Sequence, residues 1–295
     1  MLLLLEHIFL GIVQGLTEFL PISSTGHLVL FRKLFGLQEA GLLFDTMLHL
    51  GTLIAVVIVF WRQIQYILTH PFSKLTKLLV VGTIPTAVIG LAFEDYFEEI
   101  SRTGVTIGWE FLVTGAIIWG VESMRRGRRT FDQISYTDAL IIGTLQGAAI
   151  LPAISRSGLT IAGSLMRGID RADAARFSFL LSLPAILGAC VLQTAKLAKA
   201  PLETSLLIPM IVGTMFSAIA GYFAIRWMLK IISTGSMKGF AIYVWILGII
   251  ILAFQWWGGN QDIGKASYRE PAFHLLSSLS GYRLATSFPT RITIP

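Results

Sequence analysis

Gln14-Gly15-Leu16-Thr17-Glu18-Phe19-Leu20-Pro21-Ile22-Ser23-Ser24-Thr25-Gly26-His27 is a polar, glycine-bearing stretch inside an otherwise apolar chain, and it has a counterpart. Gln146-Gly147-Ala148-Ala149-Ile150-Leu151-Pro152-Ala153-Ile154-Ser155-Arg156-Ser157-Gly158-Leu159-Thr160 follows the same plan. In both, Gln-Gly leads through a proline to a hydroxyl-rich turn, and the closing Gly stands twelve positions after the Gln. Polar backbone in lipid is tolerated only where protein or a water-filled cavity satisfies it. A matched pair of such breaks therefore points to a binding site inside the membrane.

The surrounding composition fits that setting. Apolar residues make up 54% of the 295 positions and charged residues 14%, with a mean hydropathy of +0.73. That is the composition of an all-α polytopic membrane protein. Length and repeat together suggest one membrane domain over residues 1–257, in halves of about 1–123 and 137–257. The first apolar stretch does not read as a signal peptide, because it lacks a basic leader and carries Glu6 and Glu18. The one cysteine, Cys190, excludes an internal disulfide and reads as a buried, inert thiol. The net charge of +6 comes from basic residues at the ends of apolar runs, a pattern of membrane topology rather than of a nucleic-acid-binding face.

Spanning helices are expected at about 43–61, 78–93, 107–121, 177–195, 206–225 and 239–257. The stretches 2–30 and 138–166 are each interrupted by a polar loop and read as re-entrant helix pairs whose arms are too short to span. The repeat extends beyond the loops: Gly82-Thr83-x-x-Thr86-Ala87-x-x-Gly90 recurs 131 positions on as Gly213-Thr214-x-x-Ser217-Ala218-x-x-Gly221. Each half is then a re-entrant pair plus three transmembrane helices. An odd number of crossings makes the halves an inverted repeat. Placing Arg125, Arg126, Arg128 and Arg129 in the cytoplasm also places Arg62, Lys74, Lys77, Arg167, Arg171, Arg176, Arg226, Lys230 and Lys238 there, as the positive-inside rule favours. The two loops then enter from opposite faces and meet near mid-membrane. From residue 258 the chain turns to a Ser-, Arg-, Gly- and Pro-rich tail without periodicity, and no structure is assigned to it.

Glu18 is a carboxylate between apolar neighbours, costly to bury and so a candidate functional group; the alternative is a structural partner for Arg156. Gln14 lies four residues earlier on the same helical face and suits substrate, a metal-bound water or a plain interhelical hydrogen bond. Ser23, Ser24 and Thr25 offer hydroxyls and backbone N–H groups to an anionic oxygen, and His27 could relay a proton to or from a serine; an ordinary helix cap is the alternative. Arg156, flanked by Ser155 and Ser157 with Thr160 one turn on, forms a donor cluster suited to phosphate. Together the loops hold what phosphoryl transfer requires: nucleophile, proton shuttle and charge clamp, with a divalent cation as an option. Asp45 and His49, four apart, read as an intrahelical pair that could orient the site. Beyond them the spans look nearly devoid of ionisable groups, which favours an enzyme over the rival reading, a transporter flipping a lipid phosphate.

These motifs resemble the undecaprenyl-diphosphate phosphatase family, bacterial membrane enzymes linked to bacitracin resistance. The resemblance runs to about residue 257 and rests on Gln14-xxx-Glu18 continuing to His27, on Pro152-Ala153-x-Ser155-Arg156-Ser157-x-x-Thr160, and on Arg176-Phe-Ser-Phe-Leu-Leu-Ser-Leu-Pro184. It implies hydrolysis of a C55 polyprenyl diphosphate to its monophosphate in the cytoplasmic (inner) membrane. It also implies a site open to the periplasmic face and a divalent cation, Mg2+ or Ca2+. By position Ser24 matches the nucleophile, Glu18 and His27 the acid/base or metal residues, and Arg156 the phosphate clamp. Two positions depart from the pattern: Gln14 stands where many members have Glu, and Ala153 where Gly is usual. The expected partners are the lipid substrate and the membrane, with a homodimer left open.

Overall fold

Long apolar runs satisfy their own backbone in lipid only as helices or closed barrels, and the computed structural model takes the first solution. It describes residues 1–35, 41–124, 127–197 and 204–258. Among these the named elements are all helical: α1 (Leu2–Phe19), α2 (Ser24–Phe35), α3 (Gly41–Val59), α4 (Trp61–Thr69), α5 (Lys74–Ala92), α6 (Glu94–Thr103), α7 (Ile107–Glu122), α8 (Tyr136–Ala148), α9 (Arg156–Met166), α10 (Arg171–Leu197), α11 (Thr204–Thr234) and α12 (Lys238–Gly258), with a 3-10 turn at Phe131–Gln133. Met1–Ile249 make up one compact unit; the second, Ile250–Pro295, is described only to the end of α12. The tail expected beyond residue 258 lies outside the described residues.

Small residues set the packing. Helices in lipid associate through close backbone approach rather than through a hydrophobic drive. An added Cβ on Gly11 would run into the carbonyl of Gly213, and one on Gly143 into the carbonyl of Gly82, so α1 seats against α11 and α8 against α5 at glycine pairs. These contacts exchange partners between the two repeats. α3 packs on α10 and α11, and α9 is surrounded by α7, α8 and α10. Trp245 lies over Gly115 and donates its indole N–H to the Leu112 carbonyl at 3.0 Å, tying α12 to α7.

The protein is a multi-pass membrane protein by the length and apolarity of its helices. Among the described residues five qualify as spans on their own: Leu2–Phe19, Lys74–Ala92, Arg171–Ala195, Leu206–Thr234 and Lys238–Trp257. Two expectations need correction. α1 has 18 residues and is longer than the short arm expected there. The run expected as one span over 43–61 bends by 85° at Phe60 into α4, whose surface carries Arg62 and Gln63. The run expected at 107–121 forms a 16-residue helix, α7, within one residue of those bounds and rising about 24 Å. The acidic cluster after α5 is itself helical, as α6, ending at Gly104 in the left-handed conformation (φ 63°).

The basic loop before α8 makes an ion pair with a buried carboxylate. Arg129 and Arg167 both bond the fully buried Asp138, at 2.6 and 2.7 Å, and Asp138 completes a capping box with Ser135 at the start of α8. Arg125 and Arg126 lie outside the described residues. Cys190 is a buried free thiol, as its apolar setting suggests.

Candidate active site

Both polar breaks end their helices for local reasons. Pro21 disfavours helical geometry in the residue before it, and Leu20 is extended (ψ 147°), which stops α1 one residue past Phe19. Ser23 then adopts a left-handed conformation (φ 65°), rare for a residue with a side chain. In the second break Ser155 caps α9, its side chain accepting the Gly158 N–H at 3.1 Å.

The two breaks meet. Ser23 Oγ donates to the Pro152 carbonyl at 2.5 Å, and Ser157 Oγ to the Leu20 carbonyl at 3.0 Å. A Cβ on Gly26 would lie 2.7 Å from Phe111 Cζ and 3.1 Å from the Ala153 Cβ. The alanine at position 153 is thus accommodated by the glycine opposite.

At the centre stands Glu18, 7% exposed. Its Oε1 accepts the Arg156 guanidinium in an ion pair across the loops. Its Oε2 accepts Ser24 Oγ at 2.5 Å and Gln14 Nε2 at 2.9 Å. His49 Nδ1 sits 3.0 Å from Gln14 Nε2 and 3.7 Å from Glu18 Oε2. Two polar atoms here are buried without a partner, Gln14 Oε1 and Arg156 Nη1. Unpaired buried polar groups are rare and costly, and an unpaired acceptor and an unpaired guanidinium N–H on two partners of one carboxylate mark where a cation and an anion could enter.

The other candidates are distributed differently from the sequence expectation. His27 does not face Ser24. Its Nδ1 lies 2.6 Å from the Ser23 carbonyl, which can only accept, so Nδ1 carries the proton and Nε2 meets Tyr243 Oη at 2.8 Å. The ring also packs edge-on against Phe111. Thr160 bonds Ser178 Oγ at 2.5 Å and locks α9 to α10. The Ser155 and Ser157 hydroxyls lie 3.3 Å apart, Ser155 capping α9 and Ser157 reaching across to the first loop, while Thr25 is half-buried at the first turn. Asp45 and His49 are not each other's partners: Asp45 pairs with Arg32, and His49 turns to Gln14 and Glu18.

Sequence reasoning passed over Glu110, Thr114 and Tyr243. Glu110 accepts the Ala153 N–H at 2.6 Å, and Thr114 Oγ bonds Ala153 O and Ser155 N at 3.0 and 3.2 Å. A carboxylate inside the apolar run 107–121 was the available signal, and it corrects the expectation that the spans hold almost no ionisable groups. Tyr243 carries no such signal, since an aromatic residue in a membrane helix is ordinary.

Among the described residues no three His, Cys, Asp or Glu side chains cluster as a metal-binding group. The donors that fit a hard cation are the Glu18 carboxylate and the Gln14 amide oxygen, one charged and one neutral. Such a pair suits an ion that completes its shell with phosphate oxygens and water. A cavity of about 340 Å³ lined by Phe60, Tyr66, Lys74, Phe131, Asp173 and Arg176 shares no residue with the two loops.

Known proteins are similar to this chain over most of its length. The chain shares 56% identity over 252 residues with undecaprenyl-diphosphatase 4 of Bacillus thuringiensis, covering 85% of this chain and 97% of that one. It is 50% identical over 252 residues to an undecaprenyl-diphosphatase of Carboxydothermus hydrogenoformans, with the same coverage. One from Desulfatibacillum aliphaticivorans is 41% identical over 272 residues, covering 84% and 97%. Residues 7–250, which hold both loops and every candidate site residue, match the family model described as bacitracin resistance protein BacA. The chain therefore belongs to the bacitracin resistance protein BacA family.

Proposed function

We propose that the protein is a membrane phosphatase that hydrolyses undecaprenyl diphosphate to undecaprenyl phosphate and inorganic phosphate, recycling the lipid carrier for cell-wall synthesis and conferring bacitracin resistance. Its place is the bacterial cytoplasmic (inner) membrane, with the two halves inverted and the site open to the periplasmic face. The distribution of basic residues supports that orientation, and the relatives' names support the substrate. The transporter reading draws nothing from those relatives.

The observation that carries the chemistry is that one carboxylate, Glu18, holds Ser24 Oγ and the Arg156 guanidinium at once. A diphosphate entering between the loops meets the free Nη1 of Arg156 and competes with Glu18 for the rest of the guanidinium. Released from that pair, Glu18 becomes a stronger base for the hydroxyl it already accepts. Ser24 Oγ attacks the terminal phosphorus and its proton passes to Glu18. The bond from that phosphorus to the bridging oxygen breaks, and the lipid monophosphate departs with the bonding electrons. Water, deprotonated by Glu18 after it has released the first proton, then cleaves the phosphoserine and frees phosphate. Direct attack by a water activated on Glu18 is the second route the same residues support. Glu18 and Gln14 would hold a divalent cation, Mg2+ or Ca2+, which supplies charge neutralisation to the phosphate oxygens. His27 keeps Ser23 in its left-handed conformation from one side while Tyr243 holds the ring from the other.

The test is phosphate release from undecaprenyl diphosphate by the purified protein in detergent, with and without divalent cation, beside Ser24→Ala. Cation-dependent release that drops about 100-fold or more in Ser24→Ala supports the covalent route. Near-full activity in Ser24→Ala would leave only the water route, and no release by folded wild type would overturn the phosphatase.

A further inference from the structure

Glu110 is a second carboxylate buried beside the loops, 6% exposed, and the reaction scheme leaves it unused. Among the described residues its partners are an N–H and an O–H rather than a cation: Oε2 accepts the Ala153 N–H at 2.6 Å, and Oε1 accepts the Thr106 hydroxyl. One turn later Thr114 Oγ donates to the Ala153 carbonyl and accepts the Ser155 N–H. Between them Phe111 packs on the His27 ring, and its Cζ would be only 2.7 Å from a Cβ on Gly26. One face of α7, positions 110, 111 and 114, thus backs both loops. The two amides it grips lie three and one residues before Arg156.

Burying a carboxylate without a cation is expensive, and a neutral acceptor would tie down a loop at less cost. A charged acceptor makes a shorter, stronger bond to a backbone N–H. That difference matters where a donor must be held to within a fraction of an ångström.

We propose that Glu110 is a positioning residue for the phosphate clamp, fixing Ala153–Ser155 so that the Arg156 guanidinium is aimed at Glu18 and, in turnover, at the phosphate. This rests on the phosphatase reading above. The test compares Glu110→Ala and Glu110→Gln with wild type in three measurements: kcat/KM for phosphate release, the inhibition constant for inorganic phosphate, and hydrogen–deuterium exchange across residues 150–158.

Glu110→Ala lowers kcat/KM about 10- to 100-fold, the range typical of groups that orient a reacting residue, and weakens phosphate inhibition about tenfold. Exchange rises at Ala153 and Ser155. Gln keeps an acceptor for the Ala153 N–H but makes a weaker bond, so its losses fall between wild type and Glu110→Ala. The inhibition constant does not depend on how much protein is folded, so a loss of kcat with unchanged inhibition and exchange would reduce Glu110 to a stability role and overturn the proposal. Gln as poor as Ala would also overturn it, because the charge would then act in the chemistry. If Glu110→Ala does not fold, Thr114→Val removes the neighbouring bonds and faces the same three measurements. Should wild type release no phosphate, the phosphatase reading fails, while the exchange data still decide whether Glu110 pins the loop.

Discussion

The two polar loops began from one plan and now hold opposite charges. Aligned on their Gln-Gly, Glu18 of the first corresponds to Ile150 of the second, Ser24 to Arg156, and His27 to Leu159. The first loop keeps the acceptor and the hydroxyl; the second keeps the cation. Neither can handle a diphosphate alone, because a carboxylate repels it and an arginine only binds it. The ion pair from Glu18 to Arg156 is where the two halves of the site join. The glutamines diverged in the same way. Gln14 bonds Glu18, whereas Gln146 donates to Thr86 Oγ at 3.2 Å, away from any carboxylate.

Substitutions at matched positions sharpen that contrast. His27→Ala should lower phosphate release about 100-fold, a loss typical of general acid–base groups and of those that orient them. At the matching site, Leu159→Ala should cost about 2 kcal/mol of stability through the cavity it leaves, with kcat per folded molecule within about threefold of wild type. Denaturation midpoints and rates on the same samples separate the two. Equal catalytic losses at both positions would erase the distinction. A smaller effect is expected at the glutamines. Gln14→Leu removes a bond to Glu18 and a candidate cation ligand, and should lower activity about tenfold while raising the cation concentration needed for half-maximal rate. Gln146→Leu should change activity by less than about threefold. Cation titrations of the two variants check this, and a matching shift in both would contradict the assignment of the cation to the first loop.

Much of the site was legible because its signals are local. Proline and glycine mark each break, and a lone carboxylate or guanidinium in apolar sequence stands out at once. Even the alternative role of Glu18, a partner for Arg156, is realised in the structure. What escaped is tertiary. Spacing of four residues gave Asp45 and His49 each other as default partners, but Arg32 from α2 and Gln14 from α1 reach them across space. The bend at Phe60 has no proline or glycine to announce it; the run simply turns polar on one side from Arg62. Arg129 and Arg167 count as topology charges by position, yet both fold onto Asp138. Glu110 differs, since its signal lay open in an apolar run and its role became visible only with the backbone it holds.

The proposed mechanism turns on Glu18 and Arg156 acting as one unit drawn from two loops. It is tested most directly by phosphate release from Glu18→Gln, Arg156→Ala and the double variant, all measured as folded protein. Each single change should cost about 100- to 1,000-fold, the scale for removing a transition-state charge partner, and the double variant should be no worse than the poorer single. Losses that multiply, or an Arg156→Ala protein that keeps near wild-type activity, would contradict it.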